Sequence, residues 1–147
     1  MAYLTNSDIE QRLGSAAYIQ LTDDAGTGSA NEAVVDAARV AAEGEVDSYF
    51  ARRHRVPIDL NAHPELSGVL AAVTLDIAEY RLNARRPPVP EDVTSRYQAA
   101  LIWLAQVAAG QVVLPSVAVL PGNDATGLRA ASTGDRAILS RATMEGI

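Results

Sequence analysis

The fold is decided by residues 64–110, which read PELSGVLAAVTLDIAEYRLNARRPPVPEDVTSRYQAALIWLAQVAAG. Apolar residues recur at three- and four-residue spacing on both sides of Pro87-Pro88, which is the period of an amphipathic helix. We therefore expect one helix over residues 64–84 and another over residues 90–109, each about 30 Å long. Because a short proline turn joins them, the two helices should lie antiparallel. The side chains expected in their core are Leu70, Val73, Ile77, Tyr97, Leu101 and Leu104.

Two capping boxes predict the helices that precede this pair. Thr5 to Asp8 should open a short helix that ends at Gly14, and Ser29 to Glu32 should open a long helix that runs to about Arg53. Residues 18–21 can add one further turn. The long helix has an apolar stripe at helical spacing, made of Val35, Ala38, Ala42, Val46 and Tyr49. The sequence predicts an all-α protein, a small bundle of about four helices.

After Gly110 the pattern changes. Residues 112–114 and 117–120 are apolar, β-favouring runs, each closed by a proline, and a polar stretch of small residues covers 122–134. We divide the chain into a helical domain, residues 1–110, and an extended C-terminal arm, residues 111–147, which can add short β pairing. Because the arm has no evident way to bury its own apolar side chains, we expect a partner to order it.

Composition excludes several classes of function. There is no cysteine, so disulfides and thiol catalysis are excluded. The net charge of −6 argues against general attraction to nucleic acid, and no apolar run approaches the ~20 residues of a membrane span. All 12 basic residues are arginine. Arginine suits partly desolvated contacts, so this composition is consistent with a protein that makes interfaces. A GC-rich genome would also give a basic composition made of arginine alone, so both interpretations stay open.

The sequence offers no catalytic constellation. His54 and His63 match no metal-ligand spacing, and each is interpreted as a surface or capping residue. The chain has no nucleophile elbow, phosphate-binding loop or dinucleotide fingerprint. We therefore expect a protein that is not an enzyme and that needs no cofactor.

One loop, residues 23–32, has some features of a calcium-binding loop. If Asp23 is position one, Gly28 occupies the position of the required glycine. However, Ala25 and Val34 stand where carboxylate ligands are needed. A turn that caps the long helix is the favoured interpretation, and a metal site is the alternative.

Basic residues cluster near the C-termini of two predicted helices. Arg52, Arg53 and Arg55 lie at the C-terminal end of the long helix, and Arg85-Arg86 follow the next helix. Cations are stabilised at such positions by the helix dipole. These arginines exceed what capping requires, so we also predict that they make inter-subunit contacts, together with Val117 and Val119 of the arm.

The order of segments resembles a family of Mu-like prophage virion proteins of the head–tail junction. The match spans nearly the whole chain, and its specificity lies in the order and spacing of the pieces rather than in any one of them. The matching pieces are Met1–Thr5, Asp8-Ile9, Leu13-Gly14, Gln20–Asp24, Gly26, Gly28, Glu32–Val35, Asp47–Tyr49, Pro57, Asp76–Ala78, Tyr80–Leu82, Arg96-Tyr97, Trp103-Leu104, Gly110, Leu114, Arg136, Ser140-Arg141, Met144 and Gly146-Ile147. The loop at residues 23–32 is poorer in acids than the family pattern, which weakens a metal role.

The resemblance implies a connector, or neck, protein of the virion, found in the host cytoplasm before assembly. Such adaptors form a ring, usually twelvefold, that docks under the portal protein and meets the next neck or tail-terminator protein. Phage DNA would pass through the lumen without sequence recognition, and no membrane is involved. The residues assigned to portal docking are Arg136, Ile138, Leu139, Arg141 and Met144. The alternatives are a tail-terminator-side neck component, a small metal-regulated helical protein and a generic helical regulatory domain.

Overall fold

The computed structural model describes residues 2–121, and this part of the chain is all-α. Its elements are α1 (Asn6–Leu13), α2 (Ser15–Thr22), α3 (Glu32–Phe50), a 3-10 turn (Pro64–Leu66), α4 (Ser67–Ala84) and α5 (Glu91–Ala108). The predicted all-α class is confirmed. Residues 15–22 form a whole helix where one turn was expected, because the chain continues from Gly14 directly into helical conformation. No strand occurs between residues 2 and 121, so any β pairing by the arm lies outside the described residues.

The three long helices pack against one another, and α1 and α2 lie against α3 and α4. Leu70, Val73, Ile77 and Leu104 are buried, as predicted. Phe50, at the end of α3, packs edge-on against Trp103 of α5, with ring centroids 6.3 Å apart. This contact ties the C-terminal end of α3 to α5.

Two of the predicted core residues, Tyr97 and Leu101, are only half-buried. The Tyr97 ring stacks on Tyr80 with centroids 4.0 Å apart, and its hydroxyl donates to Glu45 at 3.1 Å. A tyrosine with a polar partner at the rim keeps its tip near water while its ring covers apolar surface. The prediction of full burial was wrong at both positions.

The capping pattern is confirmed at α1 and wrong at α3. Thr5 accepts from the Asp8 amide at 3.2 Å, and Asp8 accepts from the Thr5 amide at 2.8 Å, which makes a complete capping box. At α3 the N-cap is Asn31, whose side chain accepts from the Ala33 amide at 3.0 Å. Glu32 does not close a box, because its carboxylate accepts from the Tyr18 hydroxyl at 3.1 Å instead.

The helix α3 ends at Phe50 rather than near Arg53. Residues 51–53 continue as turns, with the Arg53 and His54 amides donating to the Phe50 carbonyl. The chain therefore leaves the helix in a tight turn. That turn leaves the carbonyl of Arg53 available as a hydrogen-bond acceptor for a segment farther along the chain.

Carboxylates hold the outer elements to the bundle. Glu79 of α4 is only 6% exposed, and its carboxylate accepts from Arg12 of α1 at 3.0 Å and from Arg96 of α5 at 3.0 Å. Asp76 adds a second acceptor for Arg12 at 2.9 Å. One buried acid thus joins three helices, and its charge is matched by two guanidinium groups rather than left uncompensated.

Candidate interaction surfaces

The first part of the predicted arm lies on the helical body. We call residues 111–121 the clipped segment. Leu114 is 3% exposed and belongs to the core, with Val112 and Val117 packed against it. The expectation that this segment cannot bury its apolar residues was wrong for Val112, Leu114 and Val117, because the body offers an apolar surface that a helical pattern does not reveal, whereas Val113 stays 73% exposed.

Two hydrogen bonds fix the far end of the clipped segment. The Leu120 amide donates to the Arg53 carbonyl at 2.6 Å, and the Ala118 carbonyl lies 3.1 Å from Nδ1 of His54. His54 is 2% exposed, so the prediction of a surface or capping residue was wrong for it. Both partners come from the turn after α3. The clipped segment therefore ends beside the C-terminal end of that helix.

Gly110 makes the turn that starts the clipped segment. Its φ of +79° lies in the left-handed region, which glycine adopts at low cost. The guanidinium of Arg53 sits so close that a Cβ at this position would overlap its Nη1 atom. The helix end, the turn and Arg53 are thus packed as one unit. This is the only described glycine whose added Cβ would meet another atom within 4 Å.

A cleft lies between the clipped segment and the loop before α4. Its volume is about 420 Å³. The lining residues are Arg55, Val56, Pro57, Ile58, Asp59, His63, Val117 and Ala118. Of the predicted inter-subunit residues, Arg55 and Val117 both line this cleft, whereas Val119 is half-buried farther along the segment. Their contact with another subunit stays a prediction.

The second arginine cluster has partners within the chain. Arg85 donates to the Leu21 carbonyl and to Asp24, and Arg86 pairs with Asp24 at 3.2 Å. These contacts fasten the loop after α2 to the C-terminal end of α4. Arg85 and Arg86 are 33% and 46% exposed, so part of each guanidinium still faces solvent. Their predicted role between subunits is not tested by this geometry.

The calcium-like loop is closed by its own amides. Asp23 accepts from the amides of Thr27 at 3.0 Å and Gly28 at 2.7 Å. These two hydrogen bonds hold the pKa of Asp23 below its usual range. Within residues 2–121, no three His, Asp or Glu residues lie close enough to hold a metal ion. The geometry of the loop is that of a turn leading into α3.

The N-terminal segment is held by acids of α3. The Tyr3 hydroxyl donates to Asp47 at 2.5 Å and accepts from the Ile58 amide at 2.7 Å, while the Tyr3 amide donates to Glu43 at 3.0 Å. Burial raises the pKa of Asp47, and the hydrogen bond from Tyr3 partly opposes that shift. Sequence reasoning missed this set of contacts, since the partners are about forty or more residues apart.

Two solvent-facing helix surfaces carry no charged side chain at their centre. On α3, a shallow groove of about 420 Å³ is lined by Ala33, Val34, Ala37, Ala38, Ala41, Arg81 and Arg85. On α5, the outward surface presents Ile102 with alanines around it, and Ile102 is 60% exposed. Val40, beside the groove, is 58% exposed. These are surfaces on which another protein surface could pack.

The predicted portal-docking residues Arg136, Ile138, Leu139, Arg141 and Met144 lie outside the described residues. None of the helices in residues 2–121 combines the length and hydropathy that crossing a bilayer requires.

The fold and its contacts define a small all-α protein whose polar groups mainly tie its own helices and loops together. The family model described as Bacteriophage Mu, Gp36 matches residues 3–130, which is most of the chain. The protein belongs to this phage family. A comparison with the curated proteins found no match.

Proposed function

We propose that this protein is a head-to-tail connector of a tailed phage, a structural protein that forms a ring under the portal and continues the DNA channel. The observation that carries the proposal is the family match over residues 3–130, because it gives the chain a phage context over nearly its whole length. The segment order seen in the sequence supplies the finer assignment to the head–tail junction. A compact all-α body of this size is consistent with a ring subunit.

The clipped segment supports a role for the residues that follow it. It begins at Gly110, crosses the body and reaches the turn after α3, where Leu120 bonds to Arg53. The chain beyond Pro121 therefore starts from a fixed point on the body. We propose that residues 136–144 dock on the portal, with Ile138 and Leu139 in apolar pockets.

Two observations favour this proposal over its alternatives. A tail-terminator-side component would be expected to contain a sheet, and residues 2–121 contain no strand. A metal-regulated protein would need free carboxylates in the loop at residues 23–32, whereas Asp23 is held by backbone amides and Asp24 pairs with Arg85 and Arg86.

We also propose that the role is structural rather than catalytic. Of the side chains considered for chemistry, His54 is buried against the Ala118 carbonyl and Asp23 is bound by its own loop. A reproducible hydrolase or transferase activity, lost on substitution of Asp23, Asp24, His54 or His63, would contradict this part of the proposal.

The test adds purified protein to filled heads that lack it and counts completed particles. Wild-type protein should complete the heads, and a chain lacking residues 123–147 should stay folded and fail. A finer variant replaces Ile138, Leu139 and Met144 by serine in a chain of full length. The matched control replaces Thr126, Ser132 and Thr133 by alanine, and it should complete heads like wild type.

Three results would overturn the proposal or a part of it. Heads that need no added protein, or that wild-type protein cannot complete, would refute the connector role. Equal completion by the wild-type and truncated chains would leave the connector role standing and refute docking through the C-terminal residues. Electron microscopy of the completed necks would then show whether the protein forms a ring under the portal.

A further inference from the structure

We infer that copies of this protein associate head to tail, with the outward face of α5 of one copy packed into the α3 groove of the next. The inference deepens the ring proposed above and rests on it. The two surfaces are different in shape and lie on different helices of the same chain. A contact between unlike surfaces repeats from copy to copy and can close into a ring.

The α3 groove is the concave partner. Its floor is built from small side chains at helical spacing, Ala33, Ala37 and Ala41. Gly44 continues the same stripe toward the C-terminus of α3, and nothing lies within 4 Å of the position its Cβ would take. Small residues let a second helix approach closely, since the distance between packed helices is set by the side chains at the contact.

The α5 face is the convex partner. Ile102 projects from it at 60% exposure, and Ala99, Ala105 and Ala109 surround it, all exposed. On α3 the stripe of small residues runs from Ala33 to Gly44, and on α5 the uncharged stretch runs from Gln98 to Ala109. The ends of each are eleven positions apart, or about 17 Å along the helix axis. The α5 face has a bulky branched side chain at its centre, and the α3 groove has small residues over about the same length. The two surfaces are therefore complementary in shape.

Charges at the edges also agree with this pairing. Arg81 and Arg85 border the groove, and their side chains remain 40% and 33% exposed while paired with Glu45 and Asp24. On α5, Glu91 is exposed and lies within about 20° of Ile102 around the helix axis. The groove thus has basic residues at its rim, and the α5 face has an acid on its own stripe.

The two faces also fit each other better than either fits itself. Two α5 faces would place Ile102 against Ile102 with alanines around them and leave the grooves unfilled. Two grooves would face each other with nothing bulky to occupy them, so they would lose the close contacts on which packing depends. Only the pairing of unlike faces fills the groove.

The experiment changes one face at a time in the full chain. Val40→Glu puts a charge beside the groove, and Ile102→Glu puts one at the centre of the α5 face. Both positions are exposed and glutamate is a good helix former, so both variants should fold as wild type by circular dichroism. Val69→Glu is the matched control, since Val69 is 37% exposed on α4 and lies outside both surfaces.

Sedimentation velocity gives the expected result. Wild type and Val69→Glu should form species larger than two copies, whereas Val40→Glu alone and Ile102→Glu alone should each be monomeric at the same concentration. An equimolar mixture of the two variants should give a dimer and nothing larger. In that mixture the Val40→Glu copy still offers its α5 face and the Ile102→Glu copy still offers its groove, so one intact contact forms per pair.

Several results would overturn the inference. These are a wild-type protein that remains monomeric up to about 1 mM, a variant that assembles like wild type, and a mixture that stays monomeric. If only one of the two substitutions mattered, the contact would join like surfaces. Head completion separates the inference from the connector role: variants that assemble and complete heads refute this contact alone, whereas failure of wild type to complete heads refutes the role.

Discussion

Replacing Gly110 by alanine should destabilise the protein, whereas the same replacement at Gly44 should stabilise it. Gly110 has a φ of +79°, and a side chain in the left-handed region costs roughly 1–2 kcal/mol. The added Cβ would also overlap the Arg53 guanidinium. Gly44 lies within α3 with open space around it. Alanine at this position should therefore raise the free energy of unfolding by about 0.5–1 kcal/mol, because it lowers the entropy of the unfolded chain.

A third variant separates the two causes at Gly110. Arg53 meets the added Cβ through the end of a flexible side chain, so it can move, and the backbone need not. In the double variant Gly110→Ala/Arg53→Ala the overlap is gone, and only the cost of the left-handed backbone should remain when it is compared with Arg53→Ala alone. The effect of Gly110→Ala on wild type minus its effect on Arg53→Ala is the coupling energy of the pair.

Chemical denaturation at one fixed protein concentration measures these differences, and thermal unfolding checks them. Each kcal/mol should move Tm by about 2–4 °C for a chain of this length. We expect Gly110→Ala to lower the free energy of unfolding by about 1–2 kcal/mol. If Gly110→Ala were as stable as Gly44→Ala, Gly110 would not have the left-handed backbone that starts the clipped segment.

Three further predictions concern the core and the N-terminal segment. Leu104→Ala should lower the free energy of unfolding by about 2–5 kcal/mol, because Leu104 is fully buried, and a loss below about 1 kcal/mol in denaturation would mean that α5 does not pack as described. Tyr3→Phe should cost about 1–3 kcal/mol in the same assay, since it leaves the Ile58 amide without its acceptor; an unchanged midpoint would refute that contact. Burial raises the pKa of Asp47, so between the ordinary value of 3.8 and its folded pKa this carboxyl is protonated to a greater extent in the folded protein than in the unfolded chain, and its contribution to stability falls as pH rises through that window. Asp47→Asn should therefore gain stability relative to wild type as pH rises through that window, and a constant difference across a pH series would contradict the shift.

Local patterns in the sequence predicted the local structure well. The spacing of apolar residues located α4 and α5 because it reports which face of a helix is buried, and the capping box at Thr5 fixed the start of α1. The second capping box failed for a tertiary reason: the Glu32 carboxylate accepts from the Tyr18 hydroxyl and does not close the box. A motif of four residues cannot show that competition.

The candidate surfaces were much harder to predict, because they depend on contacts between distant residues. The Ala118 carbonyl meets His54 across 64 positions of sequence. Apolar runs closed by prolines look alike whether they pack on their own body or on a neighbour, so residues 112–120 gave no sign of which body they would cover. The buried Glu79 was equally hidden, since its two arginines come from α1 and α5.

The contacts of the arginines change where a contact between copies should be sought. An arginine-only basic composition suggested that guanidinium groups join the subunits. In the described part of the chain, however, Arg12 and Arg96 bind Glu79, and Arg85 and Arg86 bind Asp24. An arginine that already holds a loop or helix would have to share or give up that partner to bind a neighbour, and exposed ion pairs contribute little in any case. Uncharged surfaces have no such partner to lose, and burying them gains about 25 cal/mol for each Å² of apolar area removed from water. Association of copies should therefore depend on the α3 groove and the α5 face, with the arginines at the rim of the groove setting orientation rather than strength.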